Sequence, residues 1–501
     1  MLSNTTSYQL YNMKDILIVG GGTAGLTAAI IIKSMHPTID VTVIKSSDIG
    51  IIGVGEGSTE HWSHFMKVSG ITVEELLAET EATLKTGIKF VNWNGDNKHY
   101  WHVAFNQYNA TLPSNLPAYY TYLIANNLDP IKFVPQMIED NKIASSSGID
   151  QYHFDTFKLN EFLLKKCKQF GIDLVDATIN NVNISELGYI ESVVDHNGRI
   201  YNADFFIDST GVHRVLMKEL GTKWIDYKEY LPMNHAIAFP TQGEEHINVF
   251  TTSTSMNAGW SWKIPTQTRY GNGYVFCDDF LTVDRAVDEI ENYLGHSIEV
   301  AKDIKFSAGR LDTIMKKNCV AIGLSAMFVE PLEASSIGSS IQQSFLISNL
   351  LGSFTEGDIN VETLYNKKIN GMFDNIVDFI QIHYLTKRKD TEFWKSLQFK
   401  LTDFNQHTLP LFKKKMPCIQ FFDDNLNLFK HDNWIKVMYG LDLFNKNQIK
   451  QQWETQPFDH RNIIETNFSN FIEKQALAVT VTQKEYIKAT LELYENTKRV
   501  H

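Results

Sequence analysis

Residues Asp15 to Gly25 read DILIVGGGTAG and run on into LTAAIIIKSM. Asp15 to Val19 is a short apolar run bounded by glycine, as a buried parallel strand requires, and the stretch after Gly25 has the length and composition of a helix. A strand that passes through a glycine turn into a helix sets the unpaired amides of the helix N-terminus against whatever occupies the turn, and phosphate is what that arrangement attracts. Gly20 can make the tight bend, Gly22 lets the backbone approach a pyrophosphate and Gly25 lets helix pack on strand, with Gly21, Thr23 and Ala24 completing the loop. A second strand follows at Asp40 to Ile44 (DVTVI). In dinucleotide cradles it ends on an acidic residue for the ribose hydroxyls, but here Lys45 stands there, followed by Ser46 and Ser47. The stretch therefore predicts an α/β cradle for a dinucleotide, with loose holding of the ribose.

At 501 residues the chain is long enough for two or three packed units. Its 46 Lys and Arg against 58 Asp and Glu leave a net charge of −12, so nucleic acid is not an expected partner. Cys167, Cys277, Cys319 and Cys418 lie far apart, with no CxxC pair and no His cluster at zinc spacing; buried free thiols and no metal are expected. MLSNTTSYQLYNM at the start has neither a basic nor an apolar region, and no run of eighteen apolar residues occurs. A soluble cytoplasmic protein without membrane contact is the expectation.

NAD and FAD both use such a cradle, and downstream segments separate them. Ile172 to Gly211 alternates apolar and polar residues around two turn signals and ends in ADFFIDSTG, the pattern of a small meander returning to the cradle. Asn318 to Gly323 (NCVAIG) reads as another buried strand, and SSIGSSIQQSFLISNLL from Ser335 as a helix whose N-terminus also points inward. The layout resembles the glutathione-reductase-like FAD fold, a Rossmann βαβ cradle plus a β meander, with an inserted substrate region and a mainly helical C-terminal cap. We expect a core over 14–395, with substrate-binding segments near 60–170 and 220–310, and a helical subdomain over 396–501.

Four further strings fall in order along the chain: IGVGEGS (Ile52 to Ser58), LKTGIKFVNW (Leu84 to Trp93), GWSWKIP (Gly259 to Pro265) and FVEPLE (Phe328 to Glu333). With YHFD (Tyr152 to Asp155) and DTEFW (Asp390 to Trp394), the set is similar to the flavin-dependent halogenases of the tryptophan halogenase type, collinear over roughly 15–395. That resemblance implies FAD against the six cradle residues and Ser46, Ile49, Ile52, Val54, Gly57, Leu324 and Ile337. It implies Lys85 as the catalytic lysine, Glu333 as the carboxylate across the substrate pocket, and Ser335 and Ser336 as the pair whose amides hold a halide. His102 is expected in the substrate pocket or as a satisfied core histidine. The family string E-S-T-G is replaced by Glu333, Ala334, Ser335 and Ser336, so the loop glycine is missing.

The implied chemistry explains the residue types. Reduced FAD and dioxygen give a C4a-hydroperoxide, halide attacks it, and the resulting hypohalous acid passes to the amine of Lys85 for electrophilic substitution on a small indole, phenol or aniline. A carboxylate then stabilises the cationic ring or takes its proton. Trp260 and Trp262, two apart on a strand, would share a face and wall the flavin edge off from substrate. FADH2 would come from a separate NAD(P)H-dependent flavin reductase, since no second glycine fingerprint occurs; a homodimer is compatible. An FAD-dependent aromatic hydroxylase and a non-catalytic flavin-binding protein are the alternatives. Trp453 and Glu454 are the faint echoes of an amino-acid-binding string, which makes free tryptophan a doubtful substrate.

Overall fold

The computed structural model describes residues 13–51, 53, 56–103, 116–128, 136–144, 150–422, 424–477 and 479–500; Ile52 and Val54 lie outside them. The first strand, Asp15–Val19, pairs in parallel with Asp40–Lys45 on one side and with Phe205–Asp208 on the other. The sheet runs Met315–Lys316, Cys319–Ala321, Phe205–Asp208, Asp15–Val19, Asp40–Lys45, Asp173–Asp176, and only the first of these pairs is antiparallel. Its central strands, Asp15–Val19, Phe205–Asp208 and Cys319–Ala321, are largely buried and mainly apolar, as covered parallel strands are. The helix Thr23–Met35 packs on it and against the helices Thr156–Gln169 and Ser335–Leu351. An antiparallel meander, Ile179–Ile184, Ile190–Asp195 and Ile200–Asn202, leads back to Phe205–Asp208. Asp208 closes that strand by accepting the backbone amides of Leu216 and Met217 at 2.8 and 3.0 Å.

A second sheet of seven strands stands beside the cradle, in the order Lys302–Lys305, His235–Gln242, Arg269–Phe276, Gly259–Pro265, Thr251–Met256, Gly87–Val91, His99–Val103. All neighbours are antiparallel except Thr251–Met256 and Gly87–Val91. The residues after 396 are mainly helical, and they pack back on this sheet. His431–Gly440 lies along His99–Val103, where a Cβ on Gly440 would fall 2.2 Å from the Tyr100 ring. Thr480–Thr482 adds a strand to Lys142–Ala144, and the helix Gln483–Val500 covers Val73–Thr80. One apolar core runs from Ile16 to Ile487, with a satellite in which Tyr122 meets Trp453 and Phe468. Cys167, Cys277 and Cys319 are buried, whereas Cys418 is half-buried. Among the described residues no helix is long and apolar enough to cross a membrane.

Candidate active site

The glycine turn is shaped for a ligand rather than for packing alone. A Cβ on Gly20, at φ +121°, would meet Ser209 O at 2.1 Å, and one on Gly25 would meet Gly20 O at the same distance, so both must be glycine. Gly22, at the mouth of the helix Thr23–Met35, faces open space. Lys45 folds over the turn and its amine lies 3.5 Å from Asp176 at the end of the neighbouring strand. Asp176 also accepts the Ser47 amide at 2.9 Å and its hydroxyl, and these bonds from Ser47 chiefly hold the carboxyl below its ordinary range. The edge thus does carry a carboxylate, one strand away from the expected one. Ser46 bonds Thr178 at 2.7 Å, while Ile49 is 61 % exposed and away from the cavity described next.

Beyond the turn opens a cavity of about 400 Å³ with largely apolar walls, lined among others by Glu56, Gly57, Leu324, Ser336 and Ile337. Trp260 and Trp262 stand on one of its walls, with ring centroids 6.1 Å apart, as alternation along Gly259–Pro265 dictates. Gly273 on the adjacent strand makes room for Trp262; a Cβ there would lie 2.0 Å from its ring. The indole N–H of Trp260 donates to Glu330 at 3.1 Å and the Tyr384 hydroxyl donates to the same oxygen at 2.6 Å. Burial pushes Glu330 up to about 7 against these two bonds. Glu56 is likewise pushed to about 7 by burial, opposed by a bond from Thr23. A largely apolar cavity with a few polar groups, whose Glu56 touches Thr23 of the glycine turn, fits the ring system of a flavin.

Lys85 lies behind this cavity. The short strand Thr83–Leu84 pairs with Tyr152–Phe154, the Lys85 amide continues the ladder to Gln151 O at 2.9 Å, and the side chain turns inward, 2 % exposed. Its amine donates to Ser58 O at 2.8 Å. Lys89, four residues on, is half-buried with its amine over the Trp101 ring. Gly57 is the thin place in the wall, because a Cβ there would sit 3.4 Å from the Lys85 amine and 3.5 Å from the Ala334 methyl, and both Gly57 and Ala334 line the cavity. Burial lowers Lys85 to about 8, against the opposing pull of Glu333 and Glu60.

Glu333 is held between two histidines. Its Oε2 accepts His102 Nδ1 at 2.7 Å, and Oε1 lies 2.8 Å from His383 Nε2, off the line of an ideal hydrogen bond. Burial favours the neutral acid, but a charged His102, with its bond and that of His383, would hold the carboxyl down to about 2. His383 stacks on Phe90 and its Nδ1 meets the Tyr100 hydroxyl at 3.1 Å; burial lowers its pKa. The helix Ser335–Leu351 starts directly after Glu333, with Ser335 buried and Ser336 on the cavity. Its first amides have no partner within the helix. The backbone at Ser336 is helical, so the missing glycine costs nothing there; the left-handed residue is Ala334, at φ +52°.

The tryptophan halogenase family model matches residues 15–454. The chain belongs to the tryptophan halogenase family. It is 29 % identical over 476 residues to the tryptophan 7-halogenase RebH of Lentzea aerocolonigenes, covering 85 % of this chain and 89 % of that one. It is 30 % identical to the tryptophan 7-halogenase KtzQ of Kutzneria sp. (strain 744), over 77 % and 78 % of the two chains. The structure of Tar14, a tryptophan C-6 flavin-dependent halogenase from taromycin biosynthesis, superposes with a TM-score of 0.86 at 26 % identity, over 95 % and 99 % of the chains. The protein is therefore an enzyme, a flavin-dependent halogenase of the FAD-binding Rossmann type. In this halogenase Glu56, Glu330, His383 and Asn433, whose Nδ2 lies 2.9 Å from His102 Nε2, join the candidate site without having been singled out in the sequence. Glu330 could have been: it shares the FVEPLE string with Glu333. Trp453 packs in the satellite core, and Glu454 sits beside Lys450 at 4.0 Å on the surface.

Proposed function

We propose that this halogenase holds FAD in the glycine cradle and the 400 Å³ cavity, takes it reduced from a separate NAD(P)H-dependent flavin reductase, and halogenates a small electron-rich aromatic through Lys85 and Glu333. The observation that carries this reading is the buried amine of Lys85, packed directly against Gly57 in the cavity wall. When bound, reduced FAD with dioxygen supplies the two-electron oxidation of halide to hypohalous acid. The free amides at Ser335 and Ser336 suit the halide, since a helix N-terminus offers positive potential without a countercharge. Trp260 and Trp262, fixed by Glu330 and Gly273, leave an organic ring no room beside the flavin.

Near neutrality a lysine with a pKa of about 8 supplies both of its forms. The ammonium donates a hydrogen bond to hypohalous acid and polarises it. The free amine bonds to the halogen and water leaves; the ring carbon then takes the halogen from nitrogen, the ring proton passes to Glu333, and nitrogen regains a proton. Indoles head the substrate class because the named relatives act on tryptophan, with phenols and anilines beside them.

The test is mass spectrometry of a panel of tryptophan, indoles, phenols and anilines incubated with enzyme, FAD, a generic flavin reductase, NADH, air, and chloride, bromide or iodide. Halogen-for-hydrogen shifts that vanish in Lys85→Ala, while that variant still binds FAD, are expected. Oxygen insertion without halogen would move the enzyme to the hydroxylases, and halogenation by Lys85→Ala would remove the lysine from the mechanism.

A further inference from the structure

We propose that Asn433 fixes His102 as a neutral imidazole with its proton on Nδ1, so that Glu333 meets the substrate proton without an adjacent imidazolium. The inference rests on the role given above to Glu333, and it follows from which atoms can donate. Asn433 is in the first turn of the helix His431–Gly440, and the backbone N–H of Lys430 lies 2.6 Å from its Oδ1. An N–H can only donate, so that end of the amide is the carbonyl. The other end, Nδ2, is a pure donor, and it stands 2.9 Å from His102 Nε2. Nε2 must therefore accept and carries no proton. On the far side of the ring Nδ1 faces the carboxylate of Glu333 at 2.7 Å and must donate. A second proton on His102 would set N–H against N–H.

The charges around the ring do not decide its state. Asp432, on the same helix as Asn433, favours the cation, but it is paired with the buried amine of Lys436 at 3.2 Å, which also donates to Val103 O at 2.8 Å. Glu333 favours the cation too, while Lys85 on its strand and His383 on Asn360–His383 oppose it through their pull on Glu333 or on the ring. Glu60 acts on both lysines, Tyr100 bonds His383 and also feels Glu333, and the rings of Phe379 and Phe429 close the remaining sides. What remains is the directional bond from Asn433. With the ring neutral, the strongest of the effects that hold Glu333 low is absent, and the carboxylate, still ionised under two N–H groups, is a better base.

The test reads the proton directly. Full-length protein labelled with 15N in histidine, without FAD or halide, is examined by NMR at neutral pH, with His102→Gln assigning the ring. One protonated and one unprotonated nitrogen are expected for His102. In Asn433→Asp one carboxylate oxygen keeps the Lys430 amide while the other turns an acceptor toward Nε2, so both nitrogens are expected protonated. Two protonated nitrogens in the wild type, or an unprotonated one persisting in Asn433→Asp, overturns the proposal. The wild-type spectrum alone decides if the variant does not fold. In turnover, Asn433→Asp should lose about tenfold or more in kcat near pH 7 and recover as His102 deprotonates at higher pH. The uncharged Asn433→Leu should lack that limb; the limb appearing there as well would make Asn433 a packing residue only. Because the spectra need no substrate, a wild type with the expected spectrum and no halogenated product would sink the reading of Glu333 and leave the neutral ring standing.

Discussion

Glu330 and Glu333 are three residues apart in one string and equally buried, yet their acidities diverge. Glu330 receives two hydrogen bonds from neutral groups, and burial wins, raising it from 4.5 to about 7. Glu333 lies between two imidazoles, and with His102 charged these would win instead. A carboxyl whose pKa is higher folded than unfolded adds stability that is complete below about 4.5 and is lost as pH rises through about 7. Glu330→Gln copies the protonated form, so it should match the wild type near pH 4.5 and exceed it by up to about 3 kcal/mol above pH 8. Chemical denaturation of the FAD-free proteins across that range checks this, and parallel curves would deny that Glu330 titrates in the native state. Lys85 and Glu333 could be singled out as candidates in sequence because each sits in a short string of distinctive neighbours. His383 and Asn433 were not, since an isolated His or Asn has many uses and the partners here are 50 and 331 residues away.

The strand Gly259–Pro265 shows how a motif depends on an element that does not contain it. Period-two alternation turns both tryptophans to the cavity, but Trp262 fits only because Gly273 opposite it has no side chain. In Gly273→Ala the new methyl would also lie 2.6 Å from Ile237 O, which cannot yield. We expect a loss of about 1–3 kcal/mol and weaker flavin binding, read by denaturation and by flavin fluorescence titration. At the start of Ser335–Leu351 the strain is at Ala334, whose left-handed angle costs an L-residue roughly 1–2 kcal/mol. Glycine there removes that cost and adds about 0.4–1 kcal/mol of chain entropy to the unfolded state, so Ala334→Gly should be neutral to slightly stabilising. A melting temperature that falls would place a needed contact on the methyl. The strand, turn and helix of the cradle were readable because all their signals are local. That a carboxylate, Asp176, would lie beside Lys45 was not, because only the sheet order sets those two strands side by side.

At the scale of the molecule, the last helix reaches the most buried part of the site. Gln483 is fully buried, accepts the Leu84 amide at 2.6 Å and donates to Asn248 O at 2.6 Å. Leu84 immediately precedes Lys85. Gln483→Leu leaves both backbone groups unpaired, at about 1–3 kcal/mol each, and should reduce halogenation more than FAD affinity; equal losses would mean that the bond serves the fold alone. The Leu84 to Gln483 bond spans 399 positions, so the residue beside the proposed reactive amine is clamped by the far end of the described chain. On the mechanism proposed above, the chamber that would confine hypohalous acid is therefore braced by a residue, Gln483, made 398 positions after Lys85 itself.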